Sequence, residues 1–464
     1  MKKLPFAALL MLCLSGCGSL LTTDYQRPQL DVPTTWQQAT TAATFKDADW
    51  WKAFNDPELD RLVNLALERN NDLGSALLNI RRARLQAGLT RDARFPQVSG
   101  AFSADRTRAL RGEGSEAHSY SLTGSVSWDA DLWNRLGAAD DAATLEALAT
   151  EQDYAATRLS LIGTVATLYW QIAYLNERIA QSDASIAYAE QTLGIVEAQY
   201  NAGGTSSLEL AEARQSLETQ RASAVELQQE RVEQRNALAV LFDGATLPAL
   251  TEPQILSRAT LPDVNAGLPA ALLARRPDLR ASELRLRESL KTVDATRASY
   301  YPDLSLTGTL GYSSTALGML LKDPVGALGA GITLPFLQWN QMRLDIAVSQ
   351  TDYELAVKDF RQTLYEALSD VENNLAGRRH YAEQEAMRER ALNNAREAER
   401  IYGVRYESGA ETLQNWLTAQ ETRRSAETTL AENRLNQLLN YITLSEALGG
   451  GAQVPGEVLV TARP

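Results

Sequence analysis

Few residues of this chain have side chains that could carry out chemistry. It has two histidines, His118 in a predicted hairpin loop and His380 on a predicted long helix, and two cysteines, Cys13 and Cys17. These residues cannot form a metal cluster with useful spacing. The sequence also has no convincing Ser-His-Asp arrangement, glycine-rich phosphate loop or cofactor fingerprint. We therefore expect that the protein is not an enzyme and has no catalytic, metal-binding or cofactor-binding residues.

Cys17 is the residue with a predicted covalent role. The run Leu14-Ser15-Gly16-Cys17 follows a basic start and a short apolar segment, which is typical of an export signal. It resembles the bacterial lipobox, in which the cysteine is acylated and becomes the mature N-terminus. We therefore predict a signal peptide over residues 1–16 and a covalent lipid on Cys17. The alternative is a chance cysteine behind an ordinary signal peptide. Gly18 is not the aspartate that would resemble an inner-membrane retention signal, so the outer membrane is favoured.

Composition indicates long helices and excludes one class of partner. The chain has 464 residues, of which 44% are hydrophobic and only 7% aromatic, and its formal net charge is −13. Binding to a phosphate backbone needs a surplus of Lys and Arg, so no nucleic-acid partner is expected.

The longest uninterrupted pattern runs from Leu136 to Tyr200, a stretch without proline. Its apolar residues recur at alternating spacings of four and three, as in a helix that packs along its length against partner helices. The pattern predicts a helix over residues 136–202, which would be about 100 Å long. The seam positions include Leu161, Val165, Leu168, Ile172, Leu175, Ile179, Ile186, Leu193, Val196 and Tyr200.

Two regions change to a period of two. Between Tyr120 and Asp129, apolar residues or glycine alternate with Ser, Thr and Asp, which predicts a strand with one apolar and one hydroxyl-rich face. Similar patterns predict hairpins over residues 98–129 and 304–334, with a charged loop from Arg106 to Glu116 in the first. Strands of about ten residues are long enough to cross a bilayer when tilted.

The second half of the chain repeats the first at a constant offset of 206 residues, which indicates a tandem duplication. The matched landmarks are Asn71-Asp72-Leu73 with Pro277-Asp278-Leu279, Phe95-Pro96 with Tyr301-Pro302, Trp133-Asn134 with Trp339-Asn340, Tyr200 with Tyr406, Gly203 with Gly409, and Gly244 with Gly450.

The duplication predicts the domain organisation. Each repeat consists of a helix, a hairpin, a long helix and a further helix, and the first helix of repeat 1 is expected from Pro57 to about Arg94. The predicted segments are a signal peptide (1–16), a lipidated arm (17–56), repeat 1 (57–244, with hairpin 98–129 and helices 136–202 and 205–242), a linker (245–268), repeat 2 (269–450, with hairpin 304–334 and helices 342–407 and 411–448) and a tail (451–464).

The two long helices are not equivalent. Five seam positions of the second helix carry polar residues in place of apolar or small ones, and we expect the helix to pack loosely there or to face water. These residues are Asn374, Arg378, Glu385, Arg388 and Glu399.

Four membrane-crossing strands cannot form a barrel alone. Lipid does not tolerate open sheet edges, and closed outer-membrane barrels need about eight strands or more. Several copies must therefore share one barrel. Strands with an apolar outer face and a hydroxyl-rich inner face imply a wet lumen, which the long helices would extend as a tube. The sequence therefore predicts a conduit.

The sequence resembles the outer-membrane factor family, the TolC-like and OprM-like exit ducts, in its lipoprotein branch that serves resistance-nodulation-division efflux pumps. The resemblance rests on short motifs in the family's order over nearly the whole mature chain: Asp24-Tyr25-Gln26-Arg27-Pro28, Trp50-Trp51, Asp56-Pro57-Glu58-Leu59, Arg275-Arg276-Pro277-Asp278-Leu279-Arg280, Tyr301-Pro302-Asp303-Leu304, Ile332-Thr333-Leu334-Pro335-Phe336 and Ala447-Leu448-Gly449-Gly450-Gly451.

The resemblance implies a mainly α protomer with membrane β-hairpins and a trimeric duct. Three chains would form a twelve-stranded outer-membrane barrel and a periplasmic helical coiled-coil tunnel. Its tip would meet a periplasmic adaptor and, through it, an inner-membrane transporter of the resistance-nodulation-division type. The lipid-anchored trimer would passively export small molecules, in some members antibiotics, across the outer membrane.

The two helical turns far from the predicted strands match the family's tip. The resemblance implies adaptor contacts at Tyr200, Gly203, Gly204, Tyr406 and Gly409, although both glycines also simply end helices.

Relatives similar to OprM also place a gate aspartate in a Leu-Asp-Ala-Gln setting, where this chain has Thr418. Glu411 and Glu421 are nearby carboxylates that could replace it. A solvated helix face is the alternative for each glutamate.

Two other functions remain open from the sequence. One is the exit duct of a type I secretion system driven by an ABC transporter. The other is a periplasmic coiled-coil scaffold or adaptor lipoprotein, which would have no membrane-crossing strands.

Overall fold

The computed structural model describes most of the chain. The predicted signal peptide, Cys17 and nearly all of the predicted tail lie outside the described residues. No helix in the described part is long and apolar enough to cross a membrane. The described residues are 21–38, 49–108, 116–244, 249–258, 261, 263–264 and 266–452.

The described part of the first repeat contains helices on both sides of a hairpin. A short 3-10 helix, Trp50–Phe54, precedes them. The elements are α1 (Pro57–Arg69), α2 (Asn71–Asp92), β1 (Gln97–Arg108), β2 (Glu116–Ala130), α3 (Arg135–Asn201) and α4 (Ser207–Val240).

The segment predicted as one helix from Pro57 to about Arg94 is two helices, α1 and α2. Asn70 between them is extended, with φ −66° and ψ 128°. Its side-chain oxygen accepts a 3.0 Å hydrogen bond from the backbone N–H of Leu73, so Asn70 caps the start of α2. The prediction of a single helix is wrong here because this cap restarts the helix within a continuous apolar pattern.

The second repeat follows the same order, but α1 has no full counterpart in its described residues. A 3-10 turn (Pro269–Ala271) and a one-turn helix (Leu272–Arg275) precede its first long element. Further 3-10 turns cover Leu317–Met319 and Pro335–Leu337. The elements are α5 (Pro277–Ala298), β3 (Asp303–Ser314), β4 (Pro324–Thr333), α6 (Trp339–Glu407) and α7 (Leu413–Ala447).

The four strands form one antiparallel sheet in the order β1-β2-β3-β4. Ser125 of β2 pairs with Ser99 of β1 and with Thr309 of β3, while Leu122 of β2 pairs with Phe102 of β1. Directly opposed residues point to the same face of a sheet. The register therefore places the hydroxyl side chains of neighbouring strands together on one face and the large apolar side chains on the other.

His118 lies in β2, opposite Arg106 of β1, and the prediction that it lies in a hairpin loop is wrong. Strand pairing continues beyond Tyr120, where the apolar alternation ends, because backbone hydrogen bonds do not require apolar side chains. The connecting residues 109–115 are outside the described part.

The helices pack in two arrangements along the length of the molecule. Near the sheet they form a layer in the order α2, α3, α5, α6, and farther away α4 packs against α3 and α7 packs against α6, with α3 and α7 in contact. Between these regions Trp50, Trp51 and Phe54 pack with Trp170 of α3 and Tyr441 of α7 in the largest apolar core. This core joins the two repeats.

The polar stripe on α6 is paired with α7. Glu399 is buried and forms an ion pair with Arg423 of α7. The side-chain oxygen of Asn374 accepts a 3.1 Å hydrogen bond from Asn440 of α7. The expectation of loose packing or contact with water is wrong at Glu399, because Arg423 of α7 supplies a partner that the α6 sequence does not reveal, whereas Asn374 is half-buried.

Candidate functional site

The sheet has the two faces that a membrane channel wall needs. Hydroxyl groups on one face contact each other across strands, with Ser99 Oγ 2.7 Å from Ser125 Oγ and Ser103 Oγ 2.8 Å from Ser121 Oγ. On the other face large apolar side chains are exposed, including Leu328 at 94%. One face therefore suits water and the other suits lipid.

Aromatic residues gather where the sheet meets the helices. The indole N–H of Trp133 donates to the backbone oxygen of Pro302 at 2.9 Å, and its ring lies 4.8 Å from that of Tyr301. The indole N–H of Trp128 donates to the backbone oxygen of Arg94 at 3.0 Å. Indole and phenol rings with one polar edge favour the boundary between lipid and water, so this end of the sheet suits a membrane interface.

The N-terminal arm is hydrogen bonded to α5. The backbone N–H and hydroxyl of Thr23 donate to the Asp294 carboxylate at 2.8 and 2.7 Å. Arg27 donates two 2.8 Å hydrogen bonds to the Glu283 carboxylate, and the Tyr25 hydroxyl adds a third at 3.1 Å. Two carboxylates therefore hold the arm along α5.

The arm contacts α5 at the sheet end of that helix. Thr23 is bound to Asp294 in the last turns of α5, which ends at Ala298 shortly before β3 begins at Asp303. Cys17 itself lies outside the described residues.

The two turns at the far ends of the long helices have the same geometry. Gly203 and Gly409 both have φ +75°, the left-handed conformation that glycine adopts without steric cost. The Gly204 N–H donates to the backbone oxygen of Gln199, and the Ala410 N–H donates to that of Arg405, each at 2.8 Å. Both helices therefore end in the same glycine-dependent turn.

The two predicted tip tyrosines have different environments. Tyr200 is 42% exposed, whereas Tyr406 is 7% exposed and stacks on Trp416 with ring centres 5.1 Å apart. The Tyr406 hydroxyl donates to the Gln199 side chain at 2.7 Å. Tyr406 thus links the two turns and is not available for an external contact, while Tyr200 and both turns remain accessible.

The predicted gate residues do not form one cluster. Glu411 is part of the second turn, where the Asn415 side chain and the Thr412 backbone N–H donate to its carboxylate at 2.7 and 3.1 Å and lower its pKa. Thr418 and Glu421 instead line a groove of about 730 Å³ between α4 and α7. Glu421 pairs with Arg424 at 2.6 Å, so its charge is partly compensated.

The sequence analysis did not predict a buried ion pair between α6 and α7. Arg423 of α7 contacts both Glu399 of α6 and Glu427 of its own helix. The Tyr188 side chain of α3 lies beside Glu399, and burial followed by this negative charge raises the pKa of Tyr188. The signal in the sequence was that Glu399 stands at the seam position where the first repeat has Leu193.

Comparisons with known proteins agree with this architecture. The family model described as outer membrane efflux protein matches residues 62–243 and 268–450, one match in each repeat. The toxin and drug export protein A of Aggregatibacter actinomycetemcomitans is 31% identical, over 94% of this chain and 95% of that protein. The pyoverdine export outer membrane protein OpmQ of Pseudomonas putida is 30% identical, over 91% of this chain and 92% of OpmQ.

A solved structure gives the same result at the level of the fold. The crystal structure of CusC, described in connection with transmembrane channel formation, superposes with a TM-score of 0.82 at 26% identity, and the match covers 93% of this chain and 99% of CusC. The matches to both repeats and to full-length relatives show that the chain belongs to the outer membrane efflux protein family.

Proposed function

We propose that three copies of this chain form a passive exit duct through the outer membrane, which receives small molecules from a periplasmic adaptor and an inner-membrane transporter. The observation that carries the proposal is the four-stranded sheet, which has one hydroxyl-rich face, one apolar face and two edges without partners in the described chain. A sheet of this kind is part of a pore wall.

The strand number supports sharing of the barrel between copies. β1 and β4 are the sheet edges, and unpaired backbone groups in lipid cost several kcal/mol each. Pairing β4 of one copy with β1 of the next satisfies both edges. Three copies then supply twelve strands, which is within the range of closed outer-membrane barrels.

The helices support a tunnel continuous with this barrel. α3 has 67 residues and α6 has 69, which corresponds to about 100 Å each. Both begin at the sheet and end at the glycine turns. A ring of such helices would carry the lumen across much of the periplasm.

The arm supports a lipid anchor at Cys17. Its contacts with Asp294 and Glu283 direct the chain towards the aromatic end of the sheet. An acyl chain on Cys17 would then enter the leaflet that surrounds this end. Membrane attachment would thus have two components, the lipid and the strands.

The turns support docking of the adaptor. Tyr200, Gly203, Gly204 and Gly409 are accessible at the end farthest from the sheet, and Tyr406 holds the two turns together from inside. For the gate we propose a role for Glu421, because it lines the groove between α4 and α7 near Thr418. Glu411 is instead bound within its own turn.

The relatives support a function in export but do not identify the molecules that this chain exports. One is named for toxin and drug export and another for pyoverdine export. The toxin exporter is a specific reason to keep, as a second candidate, a duct that serves an ABC-type secretion system. The scaffold hypothesis is less favoured, because a scaffold has no need for a sheet with a lipid-type face.

Conductance and membrane extraction test the proposal together. The purified chain should form discrete conducting channels in a planar lipid bilayer. A Cys17→Ala variant should stay in the membrane during a high-salt wash without detergent, since its strands still span. Release of this variant into the wash, together with the absence of channels, would contradict the duct and favour the scaffold.

A further inference from the structure

The end of the sheet farthest from the helices carries three basic side chains on its lipid-type face. In the pairing of β1 with β2, Arg106 lies directly opposite His118, and Arg108 lies opposite Glu116. Alternate residues of a strand point to the same face, so both arginines share the face of Phe102. Arg106, Arg108 and His118 are all exposed.

The two faces of this end differ in charge. Asp105 alternates with the arginines along β1 and therefore lies on the hydroxyl-rich face. On the lipid-type face Glu116 forms an ion pair with Arg106, while the guanidinium of Arg108 has no partner among the described residues. Two arginines and one glutamate leave this group with a net positive charge before any contribution from His118.

The position of these residues along β2 places them at the border of the apolar band. Trp128 lies at the aromatic end of the sheet, next to the helices. At about 3.3 Å per residue His118 is about 33 Å farther along the strand, or about 25 Å across the membrane at a tilt of about 40°. The apolar band of outer-membrane barrels is about 25 Å tall and is flanked by aromatic residues. Tyr120 and Tyr312 lie on the same face just before this border, so the basic residues reach the level of lipid headgroups.

The second hairpin shows that the fold does not need basic residues at these positions. The repeat offset of 206 gives each of them an uncharged counterpart, and these are Tyr312 for Arg106, Ser314 for Arg108 and Pro324 for His118. Tyr312 pairs directly with Pro324, as Arg106 pairs with His118. The same strand register therefore forms with uncharged side chains, and strand pairing does not account for the basic ones.

We propose that Arg106, Arg108 and His118 bind the phosphate group of an anionic lipid in the outer leaflet of the membrane. This rests on the proposed function, because the sheet must span the membrane to bring the site to that leaflet. Arginine side chains bind phosphate oxygens through charge-assisted hydrogen bonds, which are roughly twice as strong as neutral ones. His118 adds an N–H donor beside Arg106, since directly opposed side chains are about 5 Å apart at Cβ.

The adjoining apolar surface indicates a lipid and not a free anion. Val98 and Phe102 of β1 are 78% and 57% exposed on the same face as the arginines. A ligand that contacts both groups has an anionic head and an apolar tail. A free phosphate ion would contact only the exposed basic residues, where salt screens the attraction. Each copy has one such site, so a trimer would hold three lipids around the rim of its barrel.

Native mass spectrometry of the detergent-solubilised protein tests the site. The probe is a phosphorylated lipid A, and the reference is the same lipid A without its phosphates. The wild-type protein should bind the phosphorylated probe at least about tenfold more tightly than the reference, with up to three molecules on each trimer. The Arg106→Gln, Arg108→Gln variant should lose this preference.

Two further variants control for the loss of charge and for folding. Arg214→Gln with Arg221→Gln removes the same number of arginines from the exposed surface of α4 and should keep the preference. Arg106→Tyr with Arg108→Ser introduces the side chains of the second hairpin, which already forms this strand register. It should lose the preference even if the glutamine variant is poorly produced.

Equal affinities for the two lipids, or an unchanged preference in both Arg106 and Arg108 variants, would overturn the site while leaving the duct intact. Inorganic phosphate at the concentration of the probe should not displace the bound lipid, and displacement would mean a site for a free ion instead. The absence of channels in a bilayer, together with release of the Cys17→Ala variant by high salt, would overturn the proposed function as well.

Discussion

Glu446 near the end of α7 provides a sharp test of the packing between the repeats. Its carboxyl group lies against Gly163 of α3, where an added Cβ would be 1.9 Å from Oε1. Burial raises the pKa of Glu446 to about 7. The charged form of this side chain is therefore disfavoured in the folded protein.

The raised pKa of Glu446 determines how the free energy of unfolding depends on pH. The folded state holds the proton more tightly than the unfolded state between about pH 4.5 and pH 7, so stability falls as the pH rises through this window. Raising the carboxyl pKa from 4.5 to about 7 lowers the free energy of unfolding by about 3 kcal/mol above pH 7, and by about 1 kcal/mol at pH 5.5. A Glu446→Gln substitution, which is neutral at every pH, should remove this cost.

The free energy of unfolding of the detergent-solubilised protein, followed by circular dichroism in urea, measures the effect. Glu446→Gln should stabilise the helical part by about 3 kcal/mol at pH 8 and by about 1 kcal/mol at pH 5.5. Glu226→Gln on the exposed face of α4 is the matched control and should change neither value. The reasoning fails if wild type and Glu446→Gln have the same pH dependence.

Three further predictions concern the arm, the turns and the gate. Glu283→Ala removes the shared partner of Tyr25 and Arg27, so chymotrypsin should cleave the arm after Tyr25 at least several times faster; an unchanged rate would mean that other contacts hold the arm. Gly203→Ala forces a side chain into φ +75° and should cost about 1–2 kcal/mol in urea unfolding. By contrast, Gly194→Ala within α3 has open space and should stabilise by up to about 1 kcal/mol, so equal effects would contradict the argument. Glu421→Gln should lower the preference for cations over anions in bilayer reversal potentials, because it removes three carboxylates from the proposed lumen; an unchanged potential would exclude Glu421 from the gate.

Strand faces and long helices, which depend on patterns with a short period, were predicted correctly from the sequence. Alternation around Leu122 and Ser125 predicted the two faces of the sheet, and the spacing from Leu161 to Tyr200 predicted most of α3. Helix caps and strand ends were predicted poorly. Asn70 interrupts a helical pattern by capping α2, and His118 continues a strand beyond its apolar part. A periodicity argument averages over several residues and cannot resolve one cap or one strand end.

Contacts between distant segments could not be predicted from the sequence. Glu399 looked like a defect in the α6 seam, but Arg423 of α7 makes it a buried ion pair. Tyr406 and Tyr200 occupy equivalent repeat positions, yet only Tyr406 is covered by Trp416. Their different roles depend on the partner side chain across the helix pair.

The sequence by itself determined the duplication, the two faces of the strands, the length of the helices and the family, because each depends on spacing or on residue order along the chain. The tertiary structure decided which polar residues are paired and how the arm is fastened to α5. These features depend on side chains tens to hundreds of residues apart, and their energies exist only once folding has brought the partners into contact.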